Sequence, residues 1–275
     1  MIHRDYLEHV LTDHCNLRCS DCSMHSPFVD PGFSELGIFR KDLIVISEFL
    51  KVDVFRFIGG EPSLHPQLLD FVKVAKNSGI SDRVAICTNG AGLQKWDDEL
   101  FLNLDVIDVS VYIETKINYE KLIEFCMTKI EMAREQGHNL VVNFNTFDWG
   151  FHAMTANEKL DDATTLDIWN KCLFKRNCHS FKNGKYYKCG IALNKNQYLK
   201  NIGIEVDIDF LEEDGLPLHE PELLDRLKLF LDADKPLKTC SFCYGSSGTV
   251  TPRVQHTVKE ITFMKMNKGR LVQQS

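Results

Sequence analysis

Cys15-Asn16-Leu17-Arg18-Cys19-Ser20-Asp21-Cys22 places three thiols within eight residues, in a C-x3-C-x2-C spacing. The apolar pair Val10-Leu11 precedes it and reads as the end of a first strand over residues 7–12. Thiolates are soft ligands that suit zinc, copper(I) or iron–sulfur clusters. A structural zinc site takes four protein ligands, often as two short C-x-x-C pairs. This group stops at three, with His14 and His25 nearby. Three cysteines on one short loop also fit a cubane cluster whose fourth iron stays open to an outside ligand. Spacing alone leaves both readings standing.

Outward from this loop, strands alternate with helices. Leu36, Phe39, Leu43, Ile46 and Leu50 recur at the spacing of one helix face, and Val52 to Ile58 reads as a strand that stops at Gly59-Gly60. Leu68, Phe71, Val72 and Ala75 mark the next helix, ended by Gly79. Further strands are expected at Arg83–Thr88, Asp105–Tyr112 and Asn139–Thr146, with a long helix from Tyr119 to Gly137. Such alternation implies parallel pairing through right-handed crossovers. The fold class expected is α/β, a partial (β/α) TIM-like barrel without a clear sixth strand. Chemistry in these folds gathers at the carboxyl ends of strands. Each unusual loop sits at such an end: Cys15–Cys22, Gly59–Pro62, Thr88–Gly90, Ser110–Glu114 and Asn143–Trp149.

The pattern changes after residue 150. A helix is expected over Asn157–Asn170, then Cys172 and Cys178 precede a hairpin signal, Asn183-Gly184 between Phe181 and Tyr187. Cys189 follows, residues 194–219 give no clear pattern, and Leu224, Leu227 and Leu231 mark a helix broken by Pro236. Cys240-Ser241-Phe242-Cys243 comes next, then a polar tail with a strand expected at Glu260–Met264. The expected organisation is a barrel over 1–155, a small α+β cysteine-bearing domain over 156–255 and a tail over 256–275.

Composition narrows the function classes. The 39 acidic residues outnumber the 32 basic ones, a net charge of −7 that argues against a nucleic-acid surface. No run approaches the ~18 apolar residues of a membrane span, and the start lacks a secretory pattern. Ten cysteines in such a chain predict a reducing, cytoplasmic setting and metal or redox chemistry rather than disulfides.

With Cys15, Cys19 and Cys22 after the first strand and Gly59-Gly60-Glu61-Pro62 after the second, the chain resembles the radical S-adenosylmethionine superfamily over roughly residues 5–150. The resemblance implies that the three cysteines ligate a 4Fe–4S cluster whose open iron chelates S-adenosylmethionine. The Gly59–Pro62 turn would receive the methionine ammonium through backbone carbonyls and Glu61. Reductive cleavage would give a 5′-deoxyadenosyl radical, with a flavodoxin or ferredoxin as electron donor. Thr88-Asn89-Gly90 looks like the superfamily's third-strand ending, Ser110 sits where it often contacts the cofactor ribose, and Asn143 or Asn145 would serve from the fifth strand. The superfamily usually has an aromatic residue just before the third cysteine; here it is Asp21.

The second cysteine group resembles the twitch form of the SPASM auxiliary-cluster domain. By that resemblance Cys172, Cys189, Cys240 and Cys243 would hold a second 4Fe–4S cluster, with Cys178 as a competing ligand. The layout is similar to that of the butirosin-pathway aminocyclitol dehydrogenase. It implies oxidation of a small polar molecule (sugar, aminocyclitol or nucleotide), with the auxiliary cluster relaying an electron. The alternatives are a peptide-modifying maturase and, from another class, a non-catalytic zinc-binding scaffold. Blander readings apply elsewhere. Cys87 and Cys126 are expected as core cysteines, and His14, His25 and His65 as surface or supporting groups. Glu114, Asp148 and Trp149 are candidates to face substrate, and Glu212-Glu213-Asp214 reads as a solvated turn.

Overall fold

Five parallel strands carry the amino-terminal half: β1 (Ile2–Thr12), β2 (Leu50–Gly59), β3 (Val84–Thr88), β4 (Val106–Val111) and β5 (Val141–Thr146). Between them lie α1 (Leu36–Ser47), α2 (Leu68–Ser78), α3 (Asp98–Asn103) and α4 (Tyr119–Glu135). The structure is a computed structural model and describes residues 1–112, 114–146, 151–152, 154–252 and 254–269. Asp148 and Trp149 lie outside the described residues.

The carboxyl-terminal half adds shorter elements: β6 (Phe151–His152), α5 (Asp162–Lys171), α6 (Phe174–Asn177), β7 (Ser180–Lys182), β8 (Lys185–Tyr187), α7 (Lys195–Asn201), α8 (Phe210–Glu213), β9 (Gly215–Pro217), α9 (Leu223–Asp232), β10 (Val250–Thr251) and α10 (Val258–Met266). One eight-stranded sheet runs in the order β5-β4-β3-β2-β1-β7-β8-β9. It is a mostly parallel α/β sheet, in keeping with a partial (β/α) barrel. β7 extends the sheet on the far side of β1, parallel to it through Glu8↔Ser180 and His9↔Phe181. The Asn183-Gly184 turn marks the β7–β8 hairpin in the sequence, and only its docking beside β1 is not legible there. His9, buried beside Phe39 and Phe181, shares a hydrogen bond with the Phe181 carbonyl and helps fix the hairpin there.

Alternation along each strand sends one set of side chains to the helices and the other to the opposite face. Leu7, Leu11, Phe55, Phe57 and Ile86 meet Phe39, Leu43, Phe71 and Val72 of α1 and α2 in the main core. Burying each such side chain contributes roughly 1.5–3 kcal/mol. Gly79, at φ +66°, closes α2 in the left-handed conformation a side chain disfavours. On the other face, Tyr6, Val54, Ala85 and Val106 form an apolar floor.

Three expectations change. Glu260–Met264 is helical rather than a strand, because Thr257 and Glu260 form a reciprocal capping box that starts α10. The unread stretch 194–219 contains α7, α8 and β9, each too short for periodicity to show. Asp214 is not solvated. It is buried and accepts the backbone N–H groups of Lys238 (2.6 Å) and Thr239 (2.8 Å), anchoring the approach to Cys240. No helix among the described residues is long and apolar enough to cross a membrane.

Candidate metal centres

β1 and β2 end side by side, and their parallel register brings the cysteine loop against the Gly59–Pro62 turn. Gly60 N–H donates to the Thr12 carbonyl at 2.8 Å and Glu61 N–H to the His14 carbonyl at 3.0 Å. The approach is so close that a Cβ on Gly60 would fall 2.0 Å from the His14 oxygen, and one on Gly59 2.5 Å from the Thr12 oxygen. Only glycine fits either position.

Glu61 is buried and ties three turns together. Its carboxylate accepts from Ser63 N–H (3.0 Å), Thr88 Oγ1 (2.6 Å) and Asn89 N–H (2.7 Å). Burial pushes its pKa up, and these donors oppose the rise. Asn89 in turn reaches the cysteine loop, donating to Asn16 Oδ1 at 2.7 Å, with its Nδ2 3.7 Å from Cys15 Sγ. The third-strand ending therefore braces the first-strand loop.

A segment that the sequence left as part of a loop and tail covers the other side. Ser20 N–H donates to the Val254 carbonyl, His256 N–H to the Arg18 carbonyl, and Gln255 pairs across Cys19. Gln255 Nε2 donates to Cys19 Sγ at 3.0 Å, and Leu17 N–H to Cys15 Sγ at 3.3 Å. Asp21 stands in the left-handed region at φ +51°, where its carboxylate accepts from Thr251 Oγ1 at 2.6 Å. No periodicity marks this strap, because its pairing is backbone to backbone across more than two hundred residues of chain.

Burial pushes the Cys15 and Cys19 thiols up to about 12, so without metal they stay protonated at neutral pH. Loading a metal would displace those protons. N–H donors aimed at sulfur suit thiolates in a cluster. Tyr112, which the sequence reading passed over, lies near all three sulfurs, and its phenol is pushed up by burial first and then by those thiols. Ser110 stands across from Asn145, while Asn143 faces Asp108 and donates to its Oδ1 at 2.9 Å.

The second group converges without being contiguous. One cavity is lined by Cys172, Cys189, Cys240 and Cys243 together, and Cys178 is not in its lining. Gly245, at φ +53°, packs so tightly on Cys172 that a Cβ would lie 2.9 Å from its sulfur. Cys178 lies near Glu8 and also near Cys172 and Cys189, outside that lining. All ten cysteines are free thiols. No three His, Cys, Asp or Glu side chains among the described residues are spaced to hold a metal ion. A cubane spreads its thiolate ligands over a larger tetrahedron than a single ion does.

Above the apolar floor, the inner face carries a polar layer: Glu8, Arg56, Cys87, Asp108 and Asn143. Arg56 pairs with Glu8 at 3.3 Å and stacks over the Tyr6 ring at 4.5 Å. Burial raises Glu8 to about 7 against the opposing attraction of Arg56. Cys87 belongs to this layer and is partly exposed, so it is not the core cysteine expected; Cys126 is. His25 and His65 are buried packing groups, not surface ones.

No family model matches the chain. It is 34% identical over 109 residues to a GTP 3′,8-cyclase of Chlorobaculum tepidum, covering 39% of this chain and 32% of that protein. A GTP 3′,8-cyclase of Microcystis aeruginosa is 33% identical over 132 residues, covering 43% and 38%. Over these stretches the chain is similar to enzymes of the radical S-adenosylmethionine superfamily. It spans about a third of the length of these curated relatives. Among solved structures, BtrN in complex with AdoMet and 2-DOIA overlays with a TM-score of 0.49 at 14% identity, covering 86% of this chain and 92% of that one. That similarity implies a 4Fe–4S cluster and S-adenosylmethionine. The donor-lined sulfurs of Cys15 and Cys19 and the glycine-only turn beside them fit both groups.

Proposed function

We propose that the chain is a radical S-adenosylmethionine enzyme that removes hydrogen from a small polar substrate, a sugar, aminocyclitol or nucleotide, in an oxidation. Cys15, Cys19 and Cys22 would hold the first cluster. Gly59, Gly60, Glu61 and Pro62 would border the methionine end of the cofactor, and Ser110 and Asn143 its strand-end side. Cys172, Cys189, Cys240 and Cys243 would hold a twitch-type auxiliary cluster. When bound, these groups would supply the electron that cleaves S-adenosylmethionine to a 5′-deoxyadenosyl radical and an acceptor for the electron left on the substrate.

The observation that carries the reading is the polar layer on the inner face. Glu8, Arg56, Asp108 and Asn143 offer donors and acceptors suited to hydroxyl or amino groups, over the apolar floor of Tyr6, Val54, Ala85 and Val106. Glu8, raised to about 7, is the candidate acceptor for the proton that alcohol oxidation releases. A base works best with a pKa near the operating pH.

Anaerobic reconstitution with a flavodoxin or ferredoxin as electron donor tests this. About eight irons per chain are expected if both sites fill with four-iron clusters, together with 5′-deoxyadenosine and an oxidised small substrate. Zinc in place of iron and no cofactor cleavage would end the enzyme reading. Turnover of a peptide but of no sugar, aminocyclitol or nucleotide would replace it with peptide maturation.

A further inference from the structure

Lys195 opens α7, in the chain just after Cys189, and its side chain is fully buried. Its ammonium reaches only neutral oxygens, Thr155 Oγ1 at 3.4 Å and the Phe242 carbonyl at 3.4 Å, with the Tyr198 ring 5.5 Å away. Among the described residues no carboxylate forms an ion pair with it. An ammonium buried without a counter-charge costs several kcal/mol. Evolution does not leave such a group in place without a compensating anion or a change of protonation.

The surroundings supply the anion. Phe242 lies between Cys240 and Cys243, and Thr155 pairs in the backbone with Cys243. The sulfurs that act on Lys195 are those of Cys243, Cys189 and Cys240. His25, three residues past Cys22, is also near Lys195; it is buried and stacked on Tyr198 at 4.3 Å, with burial holding its ring neutral. Lys195 is therefore a cation held against the Cys240–Cys243 segment, with Cys243 the first sulfur that acts on it.

We infer that Lys195 is the charge partner of an iron–sulfur cluster held by Cys172, Cys189, Cys240 and Cys243, and that it raises that cluster's reduction potential. The inference rests on the proposed reading of those four cysteines as a cluster site. A cluster with four thiolate ligands carries net negative charge and gains one more on reduction. A fixed cation beside it in a dry site stabilises the reduced state more than the oxidised one. That makes the cluster a better electron acceptor.

The test uses the full chain with Cys15→Ala, Cys19→Ala and Cys22→Ala, reconstituted anaerobically with iron and sulfide so that only the second site can fill. Lys195→Met and Lys195→Arg are made in this background, and iron content and an EPR-monitored redox titration are read. About four irons are expected in the parent. Lys195→Met should shift the one-electron equilibrium against reduction by at least tenfold, about 59 mV, while Lys195→Arg stays near the parent. A parent that binds no iron ends the cluster reading and takes the inference with it. Full iron with an unchanged potential in Lys195→Met leaves the cluster standing and overturns the role of Lys195. Loss of iron in Lys195→Met but not in Lys195→Arg supports a need for charge, whereas loss in both overturns it.

Discussion

Gln255 donates its side-chain amide to the sulfur of Cys19 at 3.0 Å, joining the carboxyl-terminal strap to the first cysteine loop. An N–H donor to a ligating sulfur favours the more negative, reduced cluster. Replacing Gln255 by Leu should make the first cluster harder to reduce. A lost hydrogen bond of about 1 kcal/mol predicts a roughly fivefold change in that equilibrium. Redox titration of the EPR signal that S-adenosylmethionine perturbs reads the shift.

The two cysteine groups should separate by chemistry. Changing Cys15, Cys19 and Cys22 together to Ala is expected to remove half of the iron and all cofactor cleavage. Changing Cys240 and Cys243 to Ala should also remove half of the iron, yet keep uncoupled cleavage while stopping product formation. Normal product formation in the second variant would refute the relay. Iron assays and chromatography of 5′-deoxyadenosine against product give both answers.

Gly60→Ala places a methyl group 2.0 Å from the His14 carbonyl, which is backbone and cannot swing aside. The turn and the cysteine loop must move apart. Overpacking of this kind costs about 1–3 kcal/mol, visible as a lower thermal midpoint. Binding of S-adenosylmethionine to the reconstituted protein should fall more than the midpoint implies, because the displaced turn borders the proposed cofactor site.

Glu8 predicts a pH dependence of stability. Its carboxyl is raised from 4.5 to about 7 by burial. Between those values the folded chain keeps the proton that the unfolded chain has lost, so stability falls as pH rises through this window. At about 1.4 kcal/mol per unit the loss reaches about 3 kcal/mol. Glu8→Gln should flatten the slope, matching the parent near pH 5 and exceeding it near pH 8. Urea midpoints across that range decide it, and a parallel slope in both proteins would remove Glu8 from the account.

Much of the fold is legible in the chain because its signals are local. Helix faces such as Phe39-Leu43-Ile46 and Phe71-Val72-Ala75 appear wherever an element is long enough to repeat its period. The short elements α7, α8 and β9 give no period, and Glu260–Met264 misleads because its apolar residues suit a strand while the capping box before it starts a helix.

The opening octapeptide and the Gly59-Gly60 turn point to the proposed first centre from sequence alone, since the signal lies in residue type and spacing within a few positions. Sequence by itself determined the alternating fold, the resemblance to the superfamily and the two cysteine groups. Tertiary structure decided what surrounds them. It aligned Glu8, Arg56, Cys87 and Asp108 into one polar layer, because parallel register sets which residues of separate strands share a face. It gave Asp21 a partner in Thr251 and Cys19 one in Gln255, contacts between segments far apart in the chain. It also buried Lys195 beside Cys189, Cys240 and Cys243. Each of these depends on three-dimensional neighbours, which no local pattern of residues encodes.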